Sequence, residues 1–229
     1  MEVQVNGITM FYEKTGSGRP MILLHGNGED HEIFREAAEV LKEYFTVYMP
    51  DSRGHGRSTA VTEYHYRDMA EDVQAFAEAL RLERPVLYGF SDGEIVGLMA
   101  AIRAPELLSA LIVSGANTEP RGIRRKWLRL FQQEYRRTGD AKLKMMLREP
   151  DLTEKQLGRI RIPVLVTAGS SDMIRRRDTE KIAGAVPGSR LLILKGEDHG
   201  SYIVHQKKIA ELLLSFLGIP EKRPASPGP

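Results

Sequence analysis

The segment Gly-Phe-Ser-Asp-Gly at residues 89–93 places one serine between two glycines. It follows an apolar run, 85–88, and precedes a helical stretch over 94–104. On a sharp strand-to-helix turn a serine hydroxyl projects from the sheet edge, and the flanking glycines avoid clashes that side chains would cause. The positive end of the helix then faces the oxyanion that forms during acyl transfer. We therefore predict that Ser91 is a nucleophile.

A serine hydroxyl needs a base and an orienting carboxylate. His199 is the strongest candidate for the base because it lies in a loop five residues after an apolar run. Asp172 follows another such run through a turn of small residues, so we expect it to face His199 across neighbouring strand ends. Asp178 competes for this role but falls in the next helical stretch, and Asp198 is expected to point elsewhere. The order serine, aspartate, histidine is typical of an α/β-hydrolase.

Two backbone N–H groups are predicted to bind the oxyanion. One belongs to Asp92, directly after the nucleophile, and would lie at the start of the helix. The other belongs to Asn27, in a glycine-rich loop that ends an earlier apolar run. No metal and no organic cofactor is expected to be required.

The elements that must position these residues alternate along the chain as short apolar runs and amphipathic helical stretches. Asn6-Gly7 separates two alternating segments, which is a strong hairpin signal. The pattern predicts an α/β fold with a mostly parallel sheet, helices on both of its faces and one antiparallel edge.

About 45 residues separate the apolar runs near 113 and 162, where about a dozen would suffice for a crossover. We predict a helical cap at 118–160, inserted into a core formed by 1–117 and 161–218. The first apolar face of this cap contains Ile123, Trp127, Leu130 and Phe131. Trp127 and Phe131 are candidate substrate contacts, although packing is the commoner role of such aromatic residues. The proline-rich segment 219–229 is expected to be a disordered tail.

Taken together, five motifs resemble the α/β-hydrolase superfamily, in its branch of small cap-bearing serine esterases and related hydrolases. They are the loops His25-Gly-Asn-Gly and Asp51-Ser-Arg-Gly-His-Gly-Arg-Ser, and the segments around Ser91, Asp172 and His199. The resemblance implies the fold and the hydrolase class, and it implies that His25 and His55 shape the site without transferring protons. His31, His65 and His205 are expected at the surface.

One residue departs from the family pattern. Glu94 stands where the family usually has a second small residue after the serine turn. A glutamate there must point outward or reshape the contact between helix and strand. Its charge suits the first turn of a helix, which favours the outward orientation.

Composition excludes several other classes of protein. Thirty-three basic and 31 acidic residues give a net charge of +2, which does not indicate nucleic-acid binding. The chain has no cysteine, so thiolate nucleophiles and disulfides are excluded. No apolar run approaches the length of a membrane span and no secretory signal is evident, so a cytoplasmic location is expected, as a monomer or a small homo-oligomer.

The predicted activity is hydrolysis of small carboxylic esters through an acyl-enzyme intermediate. A first alternative keeps the site but performs C–C bond hydrolysis or cofactor-free perhydrolysis, and anionic C–C substrates would require a nearby cation. A second alternative is a slow-hydrolysing ligand receptor on the same fold, because fold does not dictate function.

Overall fold

The computed structural model describes residues 1–220, which fold around one eight-stranded sheet. The strand order is β1-β2-β4-β3-β5-β6-β7-β8. β1 and β2 pair antiparallel, as do β2 and β4, and all later pairs are parallel. The strands are β1 Glu2–Val5, β2 Ile8–Gly16, β3 Arg19–Leu24, β4 Phe45–Pro50, β5 Val86–Phe90, β6 Ala110–Ser114, β7 Val164–Gly169 and β8 Arg190–Leu194.

Helices cover both faces of this sheet, which confirms the predicted α/β fold. Side chains of α1 and α8 share one hydrophobic core, and side chains of α2, α3 and α7 share the other. Short 3-10 helices cover His31–Phe34 and Pro120–Gly122. The α-helices are α1 Arg35–Leu41, α2 Tyr66–Ala79, α3 Asp92–Arg103, α4 Arg125–Thr138, α5 Ala141–Arg148, α6 Glu154–Leu157, α7 Arg176–Ala185 and α8 Lys208–Phe216.

Local sequence features explain the turn between β1 and β2 and the burial of the central strands. Asn6 and Gly7 both adopt positive φ, 42° and 78°, as the predicted tight hairpin turn between β1 and β2 requires. All residues of β5 and β7 are buried, because parallel strands have helices or chain on both faces.

Three helices, α4 to α6, lie between β6 and β7, within the segment predicted as a cap. Thr153 and Gln156 form a capping box at the start of α6. The predicted apolar face of the first helix divides in the structure: Ile123 is buried, whereas Trp127 and Leu130 are 37% and 45% exposed. The division of the chain into core and cap remains an interpretation.

Two further expectations concern the C-terminal segment and the absence of membrane-spanning helices. Of the predicted tail, 221–229 lies outside the described residues, whereas the Ile219 N–H donates to the carbonyl of Leu214. Over residues 1–220, none of the helices has the length and apolar character that crossing a bilayer requires.

Candidate active site

The turn that carries Ser91 joins β5 to α3. Ser91 has φ 54° and ψ −114°, a conformation that residues with side chains rarely adopt. A β-carbon at Gly89 would lie 2.2 Å from the carbonyl oxygen of Gly93, and one at Gly93 would lie 2.3 Å from that of Leu24. Glycine is therefore required on both sides of the serine, for the steric reason that the sequence pattern indicates.

His199 lies between the predicted nucleophile and the predicted acid. Its Nε2 is 3.0 Å from Oγ of Ser91, and its Nδ1 is 2.8 Å from Oδ1 of Asp172. A carboxylate oxygen accepts, so Nδ1 carries the proton and Nε2 can accept from the serine hydroxyl. Asp172 is buried and His199 is mostly buried. This arrangement can remove a proton from Ser91.

The loops that carry Asp172 and His199 are fastened to each other. The Ser171 N–H donates to the carbonyl of Glu197 at 2.9 Å. A β-carbon at Gly169 would lie 2.3 Å from the carbonyl oxygen of Asp198, so only glycine permits this approach of the two loops. Backbone contacts therefore set the position of Asp172 relative to His199.

The two competing aspartates have other partners. The Asp178 carboxylate accepts from the N–H and hydroxyl of Thr118. The Asp198 carboxylate accepts from the N–H groups of Gly200 and Ser201. Within the part of the chain that the structure describes, neither carboxylate hydrogen-bonds to the His199 imidazole.

The backbone N–H groups of Asn27 and Asp92 donate to no acceptor within residues 1–220. Asp92 is the first residue of α3, where an N–H has no intrahelical partner. Its side chain accepts from Nδ2 of Asn27 at 2.8 Å and from the hydroxyl of Tyr66 at 2.7 Å. Burial raises the pKa of the Asp92 carboxyl, and these two hydrogen bonds oppose that rise. The Asp92 side chain therefore joins the two candidate oxyanion-binding segments.

A cavity of about 290 Å³ opens beside Ser91 and His199. Phe131 lines it, as predicted, but Trp127 is not among the lining residues that the structure describes. Trp127 is 37% exposed, whereas Leu128 and Phe131 pack against a cluster formed by Ile123, Met146 and Ile174. The substrate contacts at Trp127 and Phe131 both remain predictions, and the cavity lining supports the one at Phe131.

Glu29 is a lining residue that the sequence did not single out. Its Oε2 accepts from the N–H of Gly26 at 2.9 Å. Burial raises the pKa of the Glu29 carboxyl, and the hydrogen bond from Gly26 opposes that rise. Because this bond occupies the Gly26 N–H, Asn27 is the neighbour whose N–H remains available.

Glu94 does not point outward, contrary to expectation. Its side chain is fully buried, and Oε2 accepts a short hydrogen bond from the N–H of Ala116. Burial raises the pKa of Glu94 well above its usual value, and the nearby Asp172 adds to that rise. Glu94 thus fastens α3 to the chain that follows β6, next to the acid.

The loops that contain His25 and His55 are held by buried contacts. His25 Nδ1 donates to the carbonyl of Gly26, and its Nε2 accepts from the N–H of Ser52. The Arg53 guanidinium makes two 2.6 Å hydrogen bonds to Asp72. These contacts agree with the structural roles that the resemblance implies.

His31 was expected at the surface, and that expectation is wrong. It is 6% exposed, and its ring lies 2.7 Å from the carboxylate of Asp51. The same carboxylate accepts from the N–H of Arg57. His65 and His205 are exposed, as expected.

Residues 1–220 contain no group of three or more His, Asp or Glu side chains that could hold a metal ion.

The sequence and fold of this chain are similar to those of known proteins. Serine hydrolase BPHL of Homo sapiens is 28% identical over 250 residues, covering 94% of this chain and 85% of that protein. The pimeloyl-[acyl-carrier protein] methyl ester esterase of Edwardsiella ictaluri is 28% identical over 254 residues, covering 90% and 96%. A thermophilic esterase from Thermogutta terrifontis, solved with malate bound, shares the fold with a TM-score of 0.82, 22% identity and coverage of 95% and 98%.

A family model described as alpha/beta hydrolase fold matches residues 19–149, more than half of the chain. The chain belongs to the α/β-hydrolase family.

Proposed function

We propose that this protein is a serine hydrolase that cleaves small carboxylic esters. The observation that carries the proposal is the 3.0 Å contact between Nε2 of His199 and Oγ of Ser91. Relatives named as a serine hydrolase and as a methyl ester esterase support the same class of reaction.

In the first half of the proposed reaction, Oγ of Ser91 attacks the ester carbonyl carbon as Nε2 of His199 takes its proton. The carbonyl oxygen becomes an oxyanion, which accepts from the backbone N–H groups of Asn27 and Asp92. When the C–O bond to the alcohol breaks, His199 gives its proton to the departing oxygen. Asp172 holds the imidazole in the required tautomer and stabilises its charged form.

In the second half, a water molecule attacks the acyl carbon and gives a proton to His199. The bond from the carbon to Oγ of Ser91 breaks, Oγ recovers the proton, and the carboxylic acid leaves. Each candidate oxyanion donor is worth about 3–4 kcal/mol by analogy with characterised hydrolases.

The cavity gives less support to C–C hydrolysis of anionic substrates. Such a substrate needs a cation beside the nucleophile, and none of the lining residues that the structure describes is Lys or Arg. The acidic side chain present is Glu29, and its carboxyl when ionised would repel an anion.

The test is steady-state hydrolysis of p-nitrophenyl acetate, butyrate, hexanoate and decanoate, with a diketone acid as the C–C substrate. We expect many turnovers on the shorter esters, and Ser91→Ala should lose both turnover and labelling by a fluorophosphonate while keeping its melting temperature. Full activity in that variant would refute the assignment. Labelling without repeated turnover would favour a ligand receptor.

A further inference from the structure

The Glu29 carboxyl group lies beside the proposed nucleophile. A β-carbon added at Gly26 would lie 2.7 Å from Oε2 of Glu29 and 3.1 Å from Cβ of Ser91. The carboxyl and the serine are therefore neighbours across Gly26. Both line the cavity that also contains the His199 imidazole.

The titratable side chains nearest to this carboxyl are those of His199, Asp92 and Asp30. The cavity wall contains no Lys or Arg among the residues described, and Glu29 forms no ion pair there. The other side chains that line the cavity are those of Asn27, Phe90, Phe131, Leu143, Met146 and Met173. A Glu29 carboxylate in this cavity therefore has no Lys or Arg to balance it, and the group there that can become cationic is the His199 imidazole.

A Glu29 carboxylate acts on both charges of the tetrahedral intermediate of a neutral ester, because it repels the oxyanion and attracts the His199 imidazolium. A cationic group on the substrate adds an attraction that a neutral ester lacks, because it pairs with Glu29 both before and during the reaction. The aromatic face of Phe131 is also compatible with an ammonium group.

We propose that Glu29 is a specificity-determining residue that selects esters carrying an ammonium group near the scissile bond. The inference rests on the proposed ester hydrolysis and adds the charge of the substrate to it. The ammonium can belong to the acyl part or to the alcohol part of the ester, because either part can occupy the cavity beside Ser91.

The charge of Glu29 can be removed without removing its hydrogen bond. In Glu29→Gln the side-chain oxygen can still accept from the N–H of Gly26, so the loop is expected to keep its conformation. Glu32→Gln is the matched control because it removes an equal charge three residues later, from a side chain that is 44% exposed and outside the cavity.

Two pairs of esters differ in charge at nearly constant shape. Methyl β-alaninate and methyl butanoate test the acyl side, and acetylcholine and 3,3-dimethylbutyl acetate test the alcohol side. The measured quantity is the ratio of kcat/KM for the cationic ester to that for its neutral partner, compared between proteins because the esters differ in intrinsic reactivity.

We expect Glu29→Gln to lower this ratio about tenfold in at least one pair, whatever its effect on the neutral ester. Glu32→Gln should leave the ratio unchanged. An unchanged ratio in Glu29→Gln would overturn the inference while leaving ester hydrolysis intact. Equal loss on both members of each pair would also overturn it, because Glu29 would then serve the loop or the imidazole. Absence of turnover on every ester, neutral or cationic, would reject the proposed function and this inference with it.

Discussion

Gly115 lies against the imidazole of His199 so closely that a β-carbon there would be 2.7 Å from Cε1 and 3.0 Å from Nδ1. Gly115 also has φ +82°. The backbone that follows β6 therefore forms a wall behind the proposed base, and it leaves no room for a side chain.

We expect Gly115→Ala to reduce kcat by about 10- to 100-fold, because displacing a catalytic group by a fraction of an ångström is costly. Gly139→Ala is the matched control: its φ is +67°, but a β-carbon there would meet nothing within 4 Å. Steady-state kinetics and melting temperatures of both variants separate backbone strain from displacement of the imidazole. Equal kcat values for the two variants would contradict the role of this wall.

Asp172→Asn should lower kcat by about four orders of magnitude, since the amide can hold the wrong imidazole tautomer. His199→Ala should lose several orders of magnitude as well, whereas His55→Ala should lose far less. Asp178→Asn provides a control at another buried aspartate whose partner is Thr118. A larger loss in Asp178→Asn than in Asp172→Asn, with both variants folded, would identify a different acid.

The cavity should set the preference for acyl chain length. Phe131→Ala enlarges the cavity and should shift kcat/KM towards longer chains, while hydrolysis of an acetate ester stays within about tenfold, or about 1.4 kcal/mol. Trp127→Ala removes an aromatic residue of the same helix that is not among the described lining residues, and it should change the preference less than Phe131→Ala does. Profiles from acetate to decanoate esters test both expectations. A change in Trp127→Ala that matches the change in Phe131→Ala would show that Trp127 also contacts substrate.

The neutral form of Glu94 should be sufficient for the fold. Burial raises its pKa well above the usual range, so Glu94→Gln should retain the acceptor for the Ala116 N–H and unfold at a similar urea concentration. Glu94→Ala should lose about 2–3 kcal/mol in the free energy of unfolding, because it leaves a buried donor unsatisfied and a cavity behind. Equal destabilisation of both variants would contradict the importance of that hydrogen bond.

The buried histidines should destabilise the fold in acid, whereas the buried carboxyls of Glu94 and Asp92, whose pKa values burial raises, act in the opposite direction as the pH falls. Burial lowers the pKa of His55 to about 4, and burial also lowers that of His25. As the pH falls from about 6.5 to about 4, the unfolded chain takes up protons that the folded chain does not, so His55 alone costs about 3 kcal/mol of stability. Above about pH 6.5 these histidines are neutral in both states and their contribution is constant.

Urea unfolding between about pH 7.5 and about pH 4.5 tests this dependence. His55→Gln should show a shallower loss of stability than the unsubstituted protein, whereas His205→Gln, at an exposed position, should show the same loss. Identical slopes in all three proteins would contradict the contribution of His55.

Features encoded in a few neighbouring residues could be predicted from the sequence. The glycines around Ser91, the Asn6-Gly7 turn and the alternation of apolar runs each follow from local geometry. The order of the apolar runs along the chain predicts that Asp172 and His199 follow neighbouring strands, and in the structure they follow β7 and β8.

Features that depend on distant neighbours could not be predicted. The acceptor role of Glu94 depends on Ala116, 22 residues later, and the burial of His31 depends on Asp51, 20 residues later. Helical periodicity identified an apolar face on α4 but could not establish which of its residues face the cavity. Glu29 gave no signal, because its importance comes from its position across Gly26 from Ser91.

Ser91, Asp172 and His199 follow β5, β7 and β8, and His199 is separated from Ser91 by 108 residues and from Asp172 by 27. β8 is an edge strand of the sheet and pairs only with β7 among the described strands. Since the imidazole follows this strand, the proposed hydrolysis requires β8 to be docked on the sheet. A chain that has formed its central strands but not docked β8 would have most of its core and no turnover, so recovery of activity during refolding measures the docking of β8.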